Sequence, residues 1–140
     1  YHEDFDFTPG KAKVIRKGRD VCLISVGEML YFTLQAAENL AKDGIDAEVV
    51  DLSSIKPLDT EMLDQLAQQF DQIVTVEEHD IINGIGSAVA SEVAKFGHAK
   101  LTILGFPDEP AIQGTQDEVF HYYGLDSEGI EKSVKKVLKK

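Results

Sequence analysis

A chain of 140 residues, 43% hydrophobic and 28% charged, has the size and composition of one soluble domain that buries a core without covalent staples. Its formal net charge of -11 opposes contact with nucleic acid phosphates or an anionic membrane surface, and no apolar run approaches the ~20 residues of a membrane span. The single cysteine, Cys22, excludes an internal disulfide, which points to a cytoplasmic working compartment.

The opening Tyr1-His2-Glu3-Asp4-Phe5 has neither the basic-then-apolar pattern of a signal peptide nor an initiator Met, so a processed or excised piece is expected. Residues 1–11 are acidic and aromatic, are broken by Pro9-Gly10, and read as a linker or arm from a preceding domain. Residues 12–140 read as the folded domain.

A short strand over residues 12–16 runs into Gly18, and a turn leads to a β-rich apolar run over residues 20–26. Cys22 sits in that run, where the expectation is a buried thiol; a reactive one needs a His or a helix terminus beside it. After Gly27, residues 29–42 read as a helix with Leu30, Leu34, Ala37 and Ala41 on its inner stripe, ended near Gly44. Residues 47–52 form the next strand. Ser53-Ser54-Ile55-Lys56-Pro57-Leu58 connects to a helix capped by Asp59 and carrying Met62, Leu63, Leu66 and Phe70 inward.

Residues 72–76 read as a strand, followed at its carboxyl end by Glu77-Glu78-His79. Asn83-Gly84-Ile85-Gly86-Ser87 opens a helix with Ile85, Val89, Val93 and Phe96 on one face, and residues 100–106 form a further strand. After a loop over 107–114, Thr115 and Glu118 make a capping box for a short helix ending at Gly124. Its Phe120 and Tyr123 are expected in the core, with Tyr122 available for contact. The last helix starts at Ser127 and turns Ile130, Val134, Val137 and Leu138 inward, with Lys135, Lys136, Lys139 and Lys140 near its negative end.

This alternation predicts an α/β domain of three layers, α/β/α, around a mostly parallel sheet of about five strands. The first short strand is expected to be an antiparallel edge strand, joined to the second by a tight turn and paired with it.

The stretch from Val76 to Ser87 is the leading site candidate, because ligands of open α/β sheets sit beyond the carboxyl ends of strands. Glu77 and Glu78 are either an acid–base pair or solvated or interface carboxylates. His79 is either a proton carrier or orienting donor, or a polar loop residue bonded to a carbonyl. Gly84 and Gly86 either expose helix N–H groups to an anion or let the helix pack tightly on the sheet. Val89 stands where a dinucleotide fingerprint needs a third Gly or Ala. His2, His98 and His121 are scattered without metal-ligand spacing. Gly27-Glu28-Met29 reads as the turn into the first helix, with Glu28 favourable at the helix start.

Four segments in order carry a resemblance: Asp20 to Gly27; Val50-Asp51-Leu52-Ser53-Ser54-Ile55-Lys56-Pro57-Leu58-Asp59; Glu77-Glu78-His79 with Gly84-Ile85-Gly86-Ser87-Ala88-Val89-Ala90; and Gly114-Thr115-Gln116-Asp117-Glu118-Val119 with Tyr123-Gly124-Leu125. From about residue 10 the chain resembles the carboxy-terminal domain of the transketolase family. Asn83 stands where that family usually has Gly, and the loop 107–113 differs from the family's common one.

The resemblance implies a dimeric three-domain enzyme that moves a two-carbon ketol unit between sugar phosphates. Thiamine diphosphate and a divalent metal would be bound by preceding diphosphate- and pyrimidine-binding domains, or by a partner subunit, outside this chain. The isolated chain is then expected to be inactive. Glu77, Glu78, His79, Gly84, Gly86 and Ser87 are carried as candidates for the substrate entrance or the dimer seam. Within the same superfamily the alternatives are deoxyxylulose-phosphate synthase and the beta subunit of a 2-oxo acid dehydrogenase. An alternative of another class is a non-enzymatic module binding an anion or nucleotide at Gly84–Ser87.

Overall fold

The computed structural model describes residues 7–139, so six residues of the expected arm, and Lys140, lie outside the described residues. The elements are β1 (Lys13–Arg16), β2 (Val21–Ser25), α1 (Met29–Lys42), β3 (Ala47–Asp51), α2 (Thr60–Gln69), β4 (Gln72–Asp80), α3 (Ile85–Val93), β5 (Lys100–Phe106), α4 (Gln116–Tyr123) and α5 (Ser127–Leu138). The sheet order is β1-β3-β2-β4-β5. β2 to β5 are mutually parallel, and β1 is the antiparallel edge strand.

Side chains alternate across β2. Val21 and Leu23 join Met29, Leu40, Phe120, Ile130 and Val134 of α1, α4 and α5 in one core. Cys22 and Ile24 join Leu63, Leu66, Val89 and Val93 of α2 and α3 in the other. A strand covered on both faces has no solvent side, which is why residues 21–24 are apolar at every position. Both cores are closed by the chain's own helices. Phe120 anchors the first, with the Phe32 ring edge-on at 5.5 Å and Phe106 at 6.4 Å. Cys22 is fully buried, and that burial pushes its thiol pKa well up, so it is a core side chain.

Three expectations need correction. First, β1 pairs with β3, not with β2 (Lys13 opposite Asp51, Val14 opposite Val50). β2 is buried throughout and takes a parallel neighbour on each edge, β3 and β4. A β1–β2 hairpin would occupy one of those edges. Residues 17–20 instead form a strap across the start of β3: the amides of Arg19 and Asp20 both donate to the Asp46 carbonyl at 2.9 Å. The Asp46 amide donates back to Asp20 Oδ2 at 2.8 Å. A Cβ on Gly18 would lie 2.2 Å from the Ala47 carbonyl carbon, so only glycine passes there.

Second, the buried stripe of α1 is Met29, Thr33, Ala36, Ala37 and Leu40, while Leu30 and Leu34 are half-buried and Ala41 is exposed. Thr33 is admitted because its hydroxyl donates to the Met29 carbonyl at 2.7 Å. Third, β4 does not stop at Val76 but runs to Asp80. Between the pairs Val76↔Leu104 and Asp80↔Phe106 it spends three residues against one on β5. Glu77, Glu78 and His79 therefore form a bulge inside the strand, in place of the expected loop. Gly105 makes room for it: a Cβ there would lie 2.7 Å from the His79 carbonyl oxygen.

The predicted caps form. Asp59 accepts from the Met62 amide at 3.2 Å and also from the Ala12 amide at 2.9 Å, so one carboxylate starts α2 and ties down the entry to β1. Thr115 and Glu118 make the reciprocal capping box of α4.

Candidate functional site

From β2 the chain turns into α1 on one face of the sheet; from its neighbour β4 it turns into α3 on the other. The backbone parts at that point and leaves a crevice beyond the carboxyl ends of the two strands. A cleft of about 420 Å³ lies there, lined by residues 26–28, Ile55, residues 77–79, residues 83–85 and Ala88. An adjoining hollow of about 610 Å³ shares residues 26–28 and continues along Leu30, Tyr31 and Leu34. A cleft of this size holds a small ligand or a few inserted side chains.

Glu77 forms its floor. The side chain is 1% exposed. Oε2 accepts from the Ile85 amide at 2.7 Å, and Oε1 accepts from the Gly86 amide at 3.0 Å. These are free N–H groups of the first turn of α3, where a negative charge is favoured. Burial raises the proton affinity of the carboxyl, and the two amide bonds oppose that rise. The glycines follow from this clamp. A Cβ on Gly84 would lie 1.9 Å from Glu77 Oε2, and one on Gly86 would lie 2.4 Å from Ile103 Cγ2 and 2.8 Å from Glu77 Oε1. The Gly-x-Gly pattern thus serves both tight packing and an anion, but the anion is the chain's own carboxylate.

Glu78 points elsewhere. Its carboxyl shares a hydrogen bond with that of Glu28, from the β2–α1 turn. That bond, partial burial and repulsion from Glu28 raise the Glu78 pKa to about 7. Glu78 thus holds a proton up to about neutrality, with the Glu28 carboxyl beside it as the acceptor. Gln116 Nε2, at the start of α4, donates to Glu28 Oε1 at 2.5 Å and orients it. The pair can hold a proton at the cleft wall or take a cationic group in its place.

His79 also lines the cleft. Its Nδ1 lies 2.9 Å from the Asp80 carbonyl oxygen. A carbonyl has no proton to give, so Nδ1 carries the hydrogen and Nε2 is the ring's remaining acceptor. Ser87 faces its own loop, not the cleft: its hydroxyl donates to the Ile81 carbonyl at 3.2 Å and accepts from the Asn83 amide at 3.0 Å. Asn83 has φ 63°, the left-handed conformation that Asn adopts more readily than most residues.

The structure therefore brings Glu77, Glu78, His79 and Gly84 to one cleft and sets Gly86 and Ser87 behind it as supports. Glu28 is legible in the sequence only as a turn residue; its meeting with Glu78, fifty positions away, is made by the sheet order. Gln116 and Ile55 carry no sequence signal for this site. Metal-bound diphosphate does not fit here. Among the described residues no three His, Cys, Asp or Glu side chains converge on a metal-sized site, and Glu77 already takes the Ile85 and Gly86 amides. No helix among the described residues is long and apolar enough to cross a membrane.

The family model for the transketolase C-terminal domain matches residues 10–130. The chain is 40% identical over 139 residues to one of the subunits of apulose-4-phosphate transketolase from Phocaeicola vulgatus, covering 99% of this chain and 44% of that one. It is 42% identical over 139 residues to 1-deoxy-D-xylulose-5-phosphate synthase of Vibrio campbellii, covering 96% of this chain and 22% of that one. A solved structure described as a split gene transketolase, inactive beta4 tetramer, superposes with a TM-score of 0.92 at 34% identity, over 99% of this chain and 46% of that one. A transketolase from Pichia stipitis shares the fold, with a TM-score of 0.71 at 17% identity over 93% of this chain and 18% of that one. The chain spans less than half the length of each of these relatives. By sequence and by fold it belongs to the transketolase C-terminal domain family.

Proposed function

We propose that this chain is the carboxy-terminal domain of a thiamine-diphosphate-dependent enzyme that transfers ketol groups between sugar phosphates, and that it supports assembly of the enzyme and borders the active site without holding the cofactor. The observation that carries this reading is the 40% identity along 99% of the chain to a subunit of a transketolase. The cleft at the strand ends supports it, because it puts a proton-holding carboxyl pair and an imidazole on the edge where such folds meet their ligands. The cofactor, with its divalent metal, supplies the bond-making chemistry from diphosphate- and pyrimidine-binding domains or from a partner subunit. The contribution of this chain is to orient and to exclude water: Glu77 fixes the start of α3, and His79 presents Nε2. The assembled enzyme is read as a homodimer of full-length chains, or of paired subunits, working in the cytoplasm.

The test pairs the full-length protein carrying this domain with the cofactor-binding part of the enzyme and follows ketol transfer from a ketose phosphate to an aldose phosphate. Transfer by the assembled enzyme and none by this domain alone is the expected result. His79→Ala in the assembled enzyme is expected to raise KM for the sugar phosphate or to weaken assembly; unchanged kinetics together with unchanged assembly would remove His79 from the entrance. Ketol transfer or thiamine diphosphate binding by the isolated domain would overturn the reading. A second reading, deoxyxylulose-phosphate synthesis, is favoured by the 42% identity to the Vibrio campbellii enzyme. Assaying the same assembly for deoxyxylulose phosphate separates the two.

A further inference from the structure

Of the two asparagines in the chain, Asn39 and Asn83, only Asn83 is followed by glycine. It stands in the turn between β4 and α3, exposed and outside any helix or strand, on the wall of the cleft. Both arms of that turn are tied. The Ile82 amide donates to Asp80 Oδ1 at 2.7 Å, and the Asn83 amide donates to Ser87 Oγ at 3.0 Å. Two groups beside these ties have no hydrogen-bond partner among the described residues: the Asn83 carboxamide and the Gly84 amide N–H. Gly84, the N-cap of α3, has no side chain to shield that nitrogen. Comparable positions are held. Asn39 lies inside α1, its Oδ1 accepts from Lys42 Nζ at 2.9 Å, and the next residue is the fully buried Leu40. Asp43 is followed by Gly44, but Lys135 Nζ donates to its carboxylate at 2.5 Å, and the Gly44 amide donates to the Ala41 carbonyl at 3.1 Å.

We infer that Asn83 is a site of spontaneous covalent modification, at which the carboxamide cyclises onto the Gly84 nitrogen and the ring opens to leave an acidic residue on the cleft wall. The Gly84 nitrogen bonds to Cγ of Asn83, the Cγ–Nδ2 bond breaks, and Nδ2 leaves as ammonia together with the Gly84 amide proton. Nothing is oxidised or reduced. Water then opens the imide ring at either of its carbonyls. One opening gives Asp with the backbone unchanged. The other gives isoaspartate, whose main chain runs through Cβ and Cγ and is longer by a carbon. Proximity drives the first step, since nucleophile and electrophile belong to adjacent residues. Either product adds a carboxylate to the cleft that already holds Glu77 and Glu78. Isoaspartate also lengthens the chain where there is no slack: a Cβ on Gly84 would lie 1.9 Å from Glu77 Oε2 and 2.7 Å from the Asp80 carbonyl oxygen. The modification therefore acts on the start of α3, which Glu77 holds through the Ile85 and Gly86 amides.

Prolonged incubation of the full-length protein carrying this domain, in neutral buffer at physiological temperature, tests this by peptide mapping in a mass spectrometer. The Asn83 peptide should gain about 1 Da, as ammonia is lost and water taken up. The gain at Asn39 should be at least about tenfold smaller, because reaction there requires α1 to open. Fragmentation should reveal isoaspartate as well as Asp at position 83, and hydrogen exchange should quicken at Ile85 and Gly86 in the aged protein. Asn83→Gly keeps the left-handed backbone, removes the carboxamide and should abolish the gain in that peptide. Asn83 ageing no faster than Asn39, a product with Asp but no isoaspartate, or a gain persisting in the same peptide of Asn83→Gly would each overturn the site. Unchanged exchange in the aged protein would overturn its action on α3. Ketol transfer is a separate readout: its absence removes the functional reading and leaves the modification site standing.

Discussion

Glu77→Ala should be the most damaging single substitution around the cleft. It removes a buried carboxylate that accepts from two amides, at 2.7 and 3.0 Å. Hydrogen bonds to a charged group are worth about 1.5–3 kcal/mol each, and a negative charge at a helix start adds about 0.3–1 kcal/mol. Against that, burial makes the ionised carboxyl costly, as its raised proton affinity shows. The balance is a loss of about 3–4 kcal/mol, since both amides are left without an acceptor. Glu77→Gln should cost about half as much, because one amide keeps an oxygen while the other meets an NH₂ group. Urea unfolding followed by circular dichroism measures both losses, and hydrogen exchange should speed up at Ile85 and Gly86. Adding acetate should recover part of the loss in Glu77→Ala by refilling the anion position. A Glu77→Ala protein within about 0.5 kcal/mol of the unaltered chain would refute the clamp.

Other consequences are equally direct. Glu78 should titrate near pH 7 by carbon-detected NMR and return toward the ordinary 4.5 in Glu28→Gln. Because the folded value lies above the unfolded one, the pair's contribution is present below pH 4.5 and lost as pH rises to about 7, so a declining stability slope in that window should vanish in Glu28→Gln. Gly18→Ala drives a Cβ into the β3 backbone at 2.2 Å, and denaturant unfolding should show a loss of more than about 2 kcal/mol. Gly27→Ala, by contrast, meets nothing within 4 Å and has only its φ of +62° to sustain, so it should cost about 1 kcal/mol. Asp59→Ala should cost about 1–2 kcal/mol and loosen the first turn of α2 together with Ala12 in hydrogen exchange.

Local signals carry most of the fold. The helix over Met29–Lys42 and the strand over Lys100–Phe106 are legible to the residue, because composition and breakers agree there. The phase of α1 is misread because Thr33 is inward, and a hydroxyl bonded to the Met29 carbonyl cannot be told from a solvated one in a sequence. β4 is cut short because Glu77, Glu78 and His79 are polar, whereas a bulge keeps polar residues in a ladder. β1 is given the wrong neighbour because a four-residue connection suggests a hairpin, and only the double-sided burial of β2 and β3 excludes it. At the site, Glu77 ahead of Gly84-x-Gly86 is the readable signal, and its meaning is partly inverted: the glycines admit an internal carboxylate. Glu28 and Gln116 reach Glu78 only through sheet order and the placing of α4, and neither leaves a local trace.

The antiparallel direction of β1 decides where the polypeptide joins the domain. Lys13 lies opposite Asp51, the last residue of β3, while Arg16 lies opposite Val49, nearer its start. The incoming backbone therefore reaches the domain on the cleft side, where Ala12 is bonded to Asp59, Ser53 donates to the Lys11 carbonyl, and Gly10 lies against Pro57. Had β1 been parallel, the same tether would arrive at the far end of the sheet, about 15 Å away for a five-residue strand. Motion or tension in residues 7–12 is thus passed directly to Pro57 and Asp59, two and four residues beyond Ile55 at the cleft.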